Sequence, residues 1–142
     1  MIILAIFLDT SFLIAYYNEK DQNHSKASNI AGRIENGDYG YVYASDYVLD
    51  EFFTYMQKKH RNPDFCYELA DGWINRNEGI AEILEVGYDL FYNSLQLFMT
   101  QNKERKPLSV NDCTIVKICE VNKIQYLVTF DDGFDGYLEL VT

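Results

Sequence analysis

The feature that most constrains this chain is an uninterrupted apolar run near its start, residues 2–8, which ends at the single carboxylate Asp9. A run of this length without polar alternation is typical of a strand buried on both faces, as in a parallel sheet. A second segment, 126–130, ends in the same way at Asp131. Because open α/β sheets bind their ligands at the carboxyl ends of the strands, both carboxylates are predicted to face one crevice.

Patterns typical of strands and of helices alternate along the chain. The predicted strands are 2–8, 39–44, 80–86, 126–130 and 138–141, and the predicted helices are 24–35, 45–60, 62–76, 88–100 and 109–122. Strands that alternate with helices imply parallel βαβ units. We therefore predict an α/β fold, a three-layer α/β/α sandwich with a mainly parallel sheet of about five strands. The length of 142 residues favours one domain over 1–142.

Two of the predicted helices carry expectations about packing. The helix 109–122 is apolar on nearly all sides and should be deeply packed. The helix 88–100 is expected to turn five large apolar side chains inward. These are Leu90, Phe91, Leu95, Phe98 and Met99.

The charge of the chain bears on its partners. Twelve Lys and Arg against 22 Asp and Glu give a formal net charge of −10. Affinity for nucleic acid usually comes from Lys and Arg, so this balance is not that of an ordinary nucleic-acid-binding protein. The excess acid either serves solubility or is concentrated at a cation site, and composition leaves both interpretations open.

The cysteines and the chain start bear on the compartment. Three cysteines, an odd number without metal-ligand spacing, favour reduced thiols. The apolar start has no basic segment before it and meets Asp9 too early for a signal peptide. No other apolar run approaches the length of a membrane span. The sequence thus predicts a cytoplasmic protein without a membrane segment.

Four acidic residues fall at the ends of predicted strands or near the starts of predicted helices: Asp9, Glu51, Asp112 and Asp131. The fold prediction puts all four at one end of one sheet. Each also has a purely structural interpretation. Asp9 could hydrogen-bond the turn that follows it, Glu51 could lie on a solvated helix face, and Asp131 could belong to an exposed acidic loop.

Three ambiguities remain at these acids. Ser109 and Asp112 have the spacing of a capping box, which stabilises a helix start without any chemistry. Helical periodicity does not decide whether Asp50 or Glu51 faces the crevice. The last acidic segment offers three carboxylates for one position. These are Asp131, Asp132 and Asp135.

Four segments stand in the chain order of a known family: LDTSFLIAYY, SDYVLDEFFTYM, LSVNDCTIV and LVTFDDGF. Over essentially its whole length the chain resembles the PIN-domain nucleases, and its compact size looks most like the toxins of VapC-type toxin–antitoxin pairs. The resemblance selects Glu51 rather than Asp50. It implies a ribonuclease in which Asp9, Glu51, Asp112 and Asp131 hold Mg²⁺ or Mn²⁺. The small polar residues expected to support them are Thr10, Ser11, Ser109 and Thr129. One departure is Asn111, where the family usually has a hydroxyl residue.

The chemistry is consistent with this resemblance. Hard divalent cations take oxygen ligands, and Mg²⁺ is commonly held by a few carboxylates together with substrate phosphate. Such an ion makes a nucleophile from water for hydrolysis of a phosphodiester, which would leave a 5′-phosphate and a 3′-hydroxyl. The basic clusters 58–61 and 103–106 could contact RNA or could simply be solvated. The alternative function is a catalytically silent PIN-like domain that binds RNA or protein.

The aromatic content bears on assembly. At 15% aromatic residues, the chain has more than one small core readily buries, so some should form a self-association surface or a groove for an apolar partner helix. The resemblance implies a homodimer and an antitoxin partner. The candidate surface is the segment 64–73, with Phe65, Tyr67 and Trp73.

Overall fold

The computed structural model describes residues 2–101, 103–104 and 106–142, which contain five strands and six helices, with two helices after each of the first three strands. The strands are β1 (Ala5–Leu8), β2 (Tyr41–Ser45), β3 (Glu82–Leu84), β4 (Tyr126–Val128) and β5 (Glu139–Val141). The helices are α1 (Thr10–Tyr17), α2 (His24–Glu35), α3 (Asp46–His60), α4 (Pro63–Ile74), α5 (Gly87–Thr100) and α6 (Val110–Val121).

The strands form one sheet in the order β3-β2-β1-β4-β5, and all four pairings are parallel. The prediction of a mainly parallel α/β sheet of about five strands is confirmed. The sheet extends from β1 through β2 to β3 on one side and through β4 to β5 on the other side. The carboxyl ends of β1 and β4 therefore flank the topological switch point, where sheets of this kind bind ligands.

The core is centred on β1, as its apolar run predicts. Ile6, Phe7 and Leu8 are completely buried. Helix α6 buries its middle, with Cys113 and Cys119 fully enclosed, whereas Val121 at its end is 69% exposed. All three cysteines are free. The expectation of deep packing is thus met by one face of α6, because its polar residues keep the other face in contact with solvent.

Strand β1 begins three residues later than the apolar run. Ile2 is 80% exposed, and Ile3 is exposed as well. The side-chain amide of Gln125 accepts from the backbone N–H of Ala5 and donates to the carbonyl of Ile3, both at 2.9 Å. A side chain thus takes the place of a neighbouring strand at this end, and regular pairing starts only at Ala5.

Helix α1 was not predicted from the sequence. Its eight residues, TSFLIAYY, are apolar on almost every side, so they carry no helical period that would distinguish a helix from a buried strand. Phe12 and Leu13 are fully buried. The cap that starts this helix is Asp9.

Two packing expectations were wrong. On α5, Met99 is 79% exposed and Phe98 is also exposed, because the helix packs against α6 and its other side faces solvent. On α4, Trp73 is 4% exposed and lies against Gly79, where a Cβ atom would come within 2.2 Å of the indole ring. Trp73 therefore belongs to the core and not to the candidate association surface.

Helices that could serve as membrane spans were sought in the described ranges, and none combines sufficient length with sufficient apolar character.

Candidate active site

Asp9 lies where β1 ends and α1 begins, and it is 3% exposed. Its backbone N–H donates to the carbonyl of Val128 at 3.1 Å, which extends the β1–β4 pairing by one residue. Its Oδ1 atom accepts from the backbone N–H of Thr10 at 2.7 Å, so the side chain caps α1. The expected turn interaction is present, and it leaves Oδ2 directed towards β4.

Two hydroxyl groups hold the second oxygen of Asp9. Thr129 Oγ1 donates to Oδ2 at 2.6 Å, and Ser11 Oγ lies 3.2 Å from the same atom. The same two hydroxyls accept backbone N–H groups of the loop after β4. Ser11 accepts from Phe130 at 2.9 Å, and Thr129 accepts from Asp131 at 3.0 Å. The network therefore orients the Asp9 carboxyl group and fixes the start of the loop that carries Asp131.

The three acids of this loop have different surroundings. Asp131 interacts directly with Asp9, and the negative charge of Asp112 raises the pKa of Asp131. Asp132 points to solvent and pairs with Lys106 at 3.7 Å. Asp135 is exposed and lines a depression with Lys26 of α2, and Asp131 and Asp132 line the same depression. Of the three carboxylates that the sequence left open, Asp131 is the one that interacts with Asp9.

Glu51 reaches the crevice from the second turn of α3. Its charge interacts with those of Asp112 and Asp131, and that of Asp50 also acts on it. Asn111 Nδ2 on α6 donates a hydrogen bond to Glu51 Oε1, which joins residues 60 positions apart. In the sequence, Asn111 stands out only as a departure from the family pattern, and its contact with Glu51 was not predicted.

Asp112 forms the capping box that its spacing predicts. Ser109 Oγ accepts from the Asp112 N–H at 3.0 Å, and Asp112 Oδ2 accepts from the Ser109 N–H at 2.9 Å. The structural interpretation of Asp112 is therefore confirmed. It does not exclude a second role, because the charge of Asp112 acts on all three other candidate acids.

Burial and the charges of neighbouring acids raise the pKa values of three of the four candidate carboxyl groups. Burial removes water from the ionised carboxylate and raises the pKa of Asp9 from its ordinary 3.8 to about 7, and the charges of Asp131 and Asp112 add to the rise. Partial burial also raises the pKa of Glu51. The hydrogen bond from Asn111 lowers this pKa, but by less than burial raises it. Partial burial and the charge of Asp112 raise the pKa of Asp131.

One of the two predicted basic clusters reaches this region. Lys106 pairs with Asp132, and its positive charge lowers the pKa of Asp131 against the larger effect of burial. Arg105, from the same cluster, lies outside the described residues. The cluster 58–61 forms the last turn and the C-cap of α3. Lys106 thus places a positively charged side chain at the rim of the acidic crevice.

The side chains suit a hard divalent cation in their chemistry. Carboxylate oxygens are the ligands that Mg²⁺ and Mn²⁺ prefer, and the mutual repulsion of these acids would be relieved by a cation. Over residues 2–101, 103–104 and 106–142, however, no three His, Cys, Asp or Glu side chains are close enough to form a ready-made metal cage. An ion would therefore have to draw the carboxylates closer together.

The fold and the crevice together define a class, an α/β domain whose acidic site lies at the switch point of a parallel sheet. The PIN domain family model matches residues 6–138, and the chain belongs to the PIN domain family.

Individual relatives agree with this family. A VapC ribonuclease from Archaeoglobus fulgidus is 23% identical over 131 residues, which cover 92% of this chain and 80% of that protein. The crystal structure of Mycobacterium tuberculosis VapC20, described as a sarcin–ricin loop cleaving toxin, is 26% identical. It has a TM-score of 0.73, with 94% of this chain and 97% of that chain covered. VapBC2 from Rickettsia felis, bound to a DNA fragment from its promoter, is 16% identical with a TM-score of 0.66, and the match covers 97% of this chain and 98% of that one.

Proposed function

We propose that this chain is a metal-dependent endoribonuclease that hydrolyses RNA phosphodiesters, and that it is the toxin of a toxin–antitoxin pair. The observation that carries the proposal is the interaction of four carboxylates from four different parts of the chain. The charges of Asp112 and Asp131 act on both Asp9 and Glu51 near the switch point of the sheet. The similarity to the VapC ribonucleases supports the choice of RNA as substrate.

In this proposal the four carboxylates hold Mg²⁺ or Mn²⁺. The bound ion would lower the pKa of a water molecule for attack on phosphorus and would neutralise charge on the phosphate oxygens. Thr129 and Ser11 keep Asp9 Oδ2 in the crevice through their hydroxyl groups. The Thr10 N–H holds Oδ1, and Ser109 holds Asp112 at the start of α6.

Asp9 has a further task that follows from its burial. Burial raises the pKa of Asp9 to about 7, so a proton competes with a cation for this carboxylate near neutral pH. A metal ligand must be deprotonated, so Asp9 has to release this proton when a cation binds. Metal affinity should therefore rise as the pH increases through 7.

The proposed partners are RNA, a cognate antitoxin and a second copy of the chain. Lys106 supplies a positive charge at the rim of the crevice where an RNA phosphate would approach. Among the similar structures are VapBC2 from R. felis and a toxin–antitoxin complex from Klebsiella pneumoniae, which is 18% identical with a TM-score of 0.61. The likeness to a toxin–antitoxin complex motivates the antitoxin partner, and the exposed aromatic residues motivate the dimer.

Two observations favour a second function. No three acids form a ready-made cage within the described ranges, and Asp112 already uses one oxygen to cap α6. A PIN-like domain that binds RNA or protein without cleaving it would tolerate both features. Cleavage that depends on metal separates the two functions.

The experiment is RNA cleavage by the purified full chain with Mg²⁺ or Mn²⁺. Suitable substrates are mixed cellular RNA and a sarcin–ricin loop hairpin, the element named for the M. tuberculosis relative. We expect cleavage that stops on addition of EDTA. Asp9→Asn and Asp112→Asn should each reduce the rate at least ~100-fold, because removal of a charged ligand displaces the ion.

The matched control is Glu35→Gln, which removes one charge from an exposed position at the end of α2 and should cleave as wild type does. Full cleavage by both Asp variants, in preparations free of contaminating nuclease, would refute the mechanism. Binding of RNA without any cleavage in either metal would favour the silent domain.

A further inference from the structure

Asn111 connects two helices that both supply candidate acids. It is the second residue of α6, directly before Asp112, and its Nδ2 atom donates to Glu51 Oε1 on α3. The bond lies at the mouth of the crevice, where the charges of Asp112 and Asp131 act on Glu51. It therefore holds one candidate ligand in place from the helix that carries another.

The Asn111 amide has a second neighbour, Thr114, on the next turn of α6. Thr114 is fully buried, and its hydroxyl group lies 3.0 Å from Asn111 Oδ1 and 2.6 Å from the Asn111 carbonyl oxygen. The Glu51 carboxylate can only accept a hydrogen bond, so Nδ2 is the amide atom that faces it, and the Thr114 hydroxyl group lies beside Oδ1. A Ser or Thr hydroxyl at position 111 would lie one bond nearer the backbone and could not span the same gap.

Glu51 needs such a restraint more than the other acids do. It has three side-chain torsions and stands on an exposed part of α3, and like charges surround it from Asp50, Asp112 and Asp131. Without a partner, repulsion and side-chain entropy would both favour a rotamer that points away from the crevice. Asp9, in contrast, is already held by three hydrogen bonds.

We propose that Asn111 is a positioning residue that holds Glu51 in the crevice as a ligand for the divalent cation, with Thr114 in contact with the oxygen of the same amide. The proposal rests on the proposed metal-dependent function. Asn111 acts through Glu51 and makes no contact with the cation or with the scissile phosphate. The amide of Asn111 on α6 thus serves a carboxylate on a different helix, α3.

The test measures Mn²⁺ binding by the full chain without RNA, from the electron paramagnetic resonance signal of free Mn²⁺. The variants are Asn111→Leu, which keeps the shape without the hydrogen bond, Glu51→Gln and the double variant. Asn111→Leu should raise the Mn²⁺ dissociation constant ~10-fold or more, as loss of a ligand's hydrogen-bond partner commonly does. In the Glu51→Gln background the same substitution should have no further effect.

The matched control is Asn122→Leu at the opposite end of α6, where the Asn122 amide donates to the carbonyl of Ile118 at 2.8 Å. It should lower the melting temperature of the metal-free protein and leave the Mn²⁺ dissociation constant unchanged.

Thr114→Val provides a second approach if Asn111→Leu does not fold. It frees the amide without touching Glu51 and should weaken Mn²⁺ binding by a smaller factor. RNA cleavage by Asn111→Leu should recover when Mn²⁺ is raised to saturation.

An unchanged dissociation constant in Asn111→Leu, or an equal loss in the Glu51→Gln background, would overturn this inference alone. If wild type and Asp9→Asn bind Mn²⁺ equally poorly, the proposed metal site fails and the role of Asn111 falls with it.

Discussion

At the scale of single residues, Asp9 serves the fold and the proposed chemistry with different oxygens. Oδ1 caps α1, whereas Oδ2 is held at the crevice by hydroxyl groups. Hydrogen bonds from Thr129 and Thr10 stabilise the ionised form, but the loss of water on burial outweighs them. Ionisation of Asp9 in this buried position therefore costs free energy, and a bound cation would offset that cost.

The raised pKa of Asp9 gives a stability prediction with a defined sign. Between pH 4 and 7 the unfolded chain has already lost the Asp9 proton while the folded chain still holds it. The free energy of unfolding without metal should therefore fall as pH rises across this window, by at most about 1.4 kcal/mol per pH unit from this group. Asp9→Asn should flatten this decline and be at least as stable as wild type at pH 7, as measured by urea unfolding.

Repeating the unfolding measurement with Mn²⁺ tests whether Asp9 binds the cation. A cation that binds only the folded state adds roughly 2.7 kcal/mol when present at about 100 times its dissociation constant. Wild type and the exposed control Glu35→Gln should both gain this stability, and Asp9→Asn should gain little. A clearly destabilised Asp9→Asn that still gains fully from Mn²⁺ would mean that Asp9 is only the cap of α1.

At the scale of elements, the start of α6 shows how a structural motif and a proposed ligand share one residue. The capping box uses Asp112 Oδ2 and the Ser109 hydroxyl group, and it fixes the first turn of the helix at the crevice. An N-cap of this kind contributes about 0.5–2 kcal/mol to stability. The helix start therefore brings Asp112 into the crevice whether or not a metal is present.

Ser109→Ala separates these contributions. It removes the acceptor for the Asp112 N–H but retains the Ser109 backbone donor, so we expect a loss of about 1 kcal/mol in the free energy of unfolding. Cleavage of RNA should fall much less than in Asp112→Asn. Ser25→Ala, at an exposed position on α2, should change stability by less than about 0.5 kcal/mol. A large loss of cleavage in Ser109→Ala at unchanged stability would contradict the capping role.

At the scale of the whole molecule, several aromatic side chains remain outside the core. Tyr67 on α4 is 69% exposed and Phe65 beside it is exposed, whereas Trp73 of the same helix is buried. A second group on α5 contains Tyr88 and Tyr92. Exposed aromatic residues are enriched in protein–protein interfaces, which keeps α4 a candidate for self-association without Trp73.

Light scattering of the purified full chain tests this surface. We expect the mass of a dimer for wild type and a shift towards monomer when Phe65 and Tyr67 are both replaced by Ser, because the substitutions remove the apolar contact area. The control replaces Tyr88 and Tyr92 by Ser and should stay dimeric. A strictly monomeric wild type at high concentration would argue against the dimer and leave the proposed nuclease standing.

The sequence by itself determined the features that depend on local pattern. The apolar run before Asp9 required a strand buried on both faces, and β1 is buried in this way. The alternation of patterns predicted the parallel sheet, and the spacing of Ser109 and Asp112 predicted the capping box. These features could be predicted because strand burial, helical period and capping are properties of residues close together in the chain.

Only the tertiary structure decided which elements cover one another and which side chains meet. It buried Trp73 against Gly79, left Met99 in solvent and brought Asn111 to Glu51 across 60 positions. It also singled out Asp131 from its acidic neighbours by its interaction with Asp9. The physical reason is that periodicity defines the apolar face of an element but not the partner that covers it. Contacts between distant residues depend on how all the elements pack together.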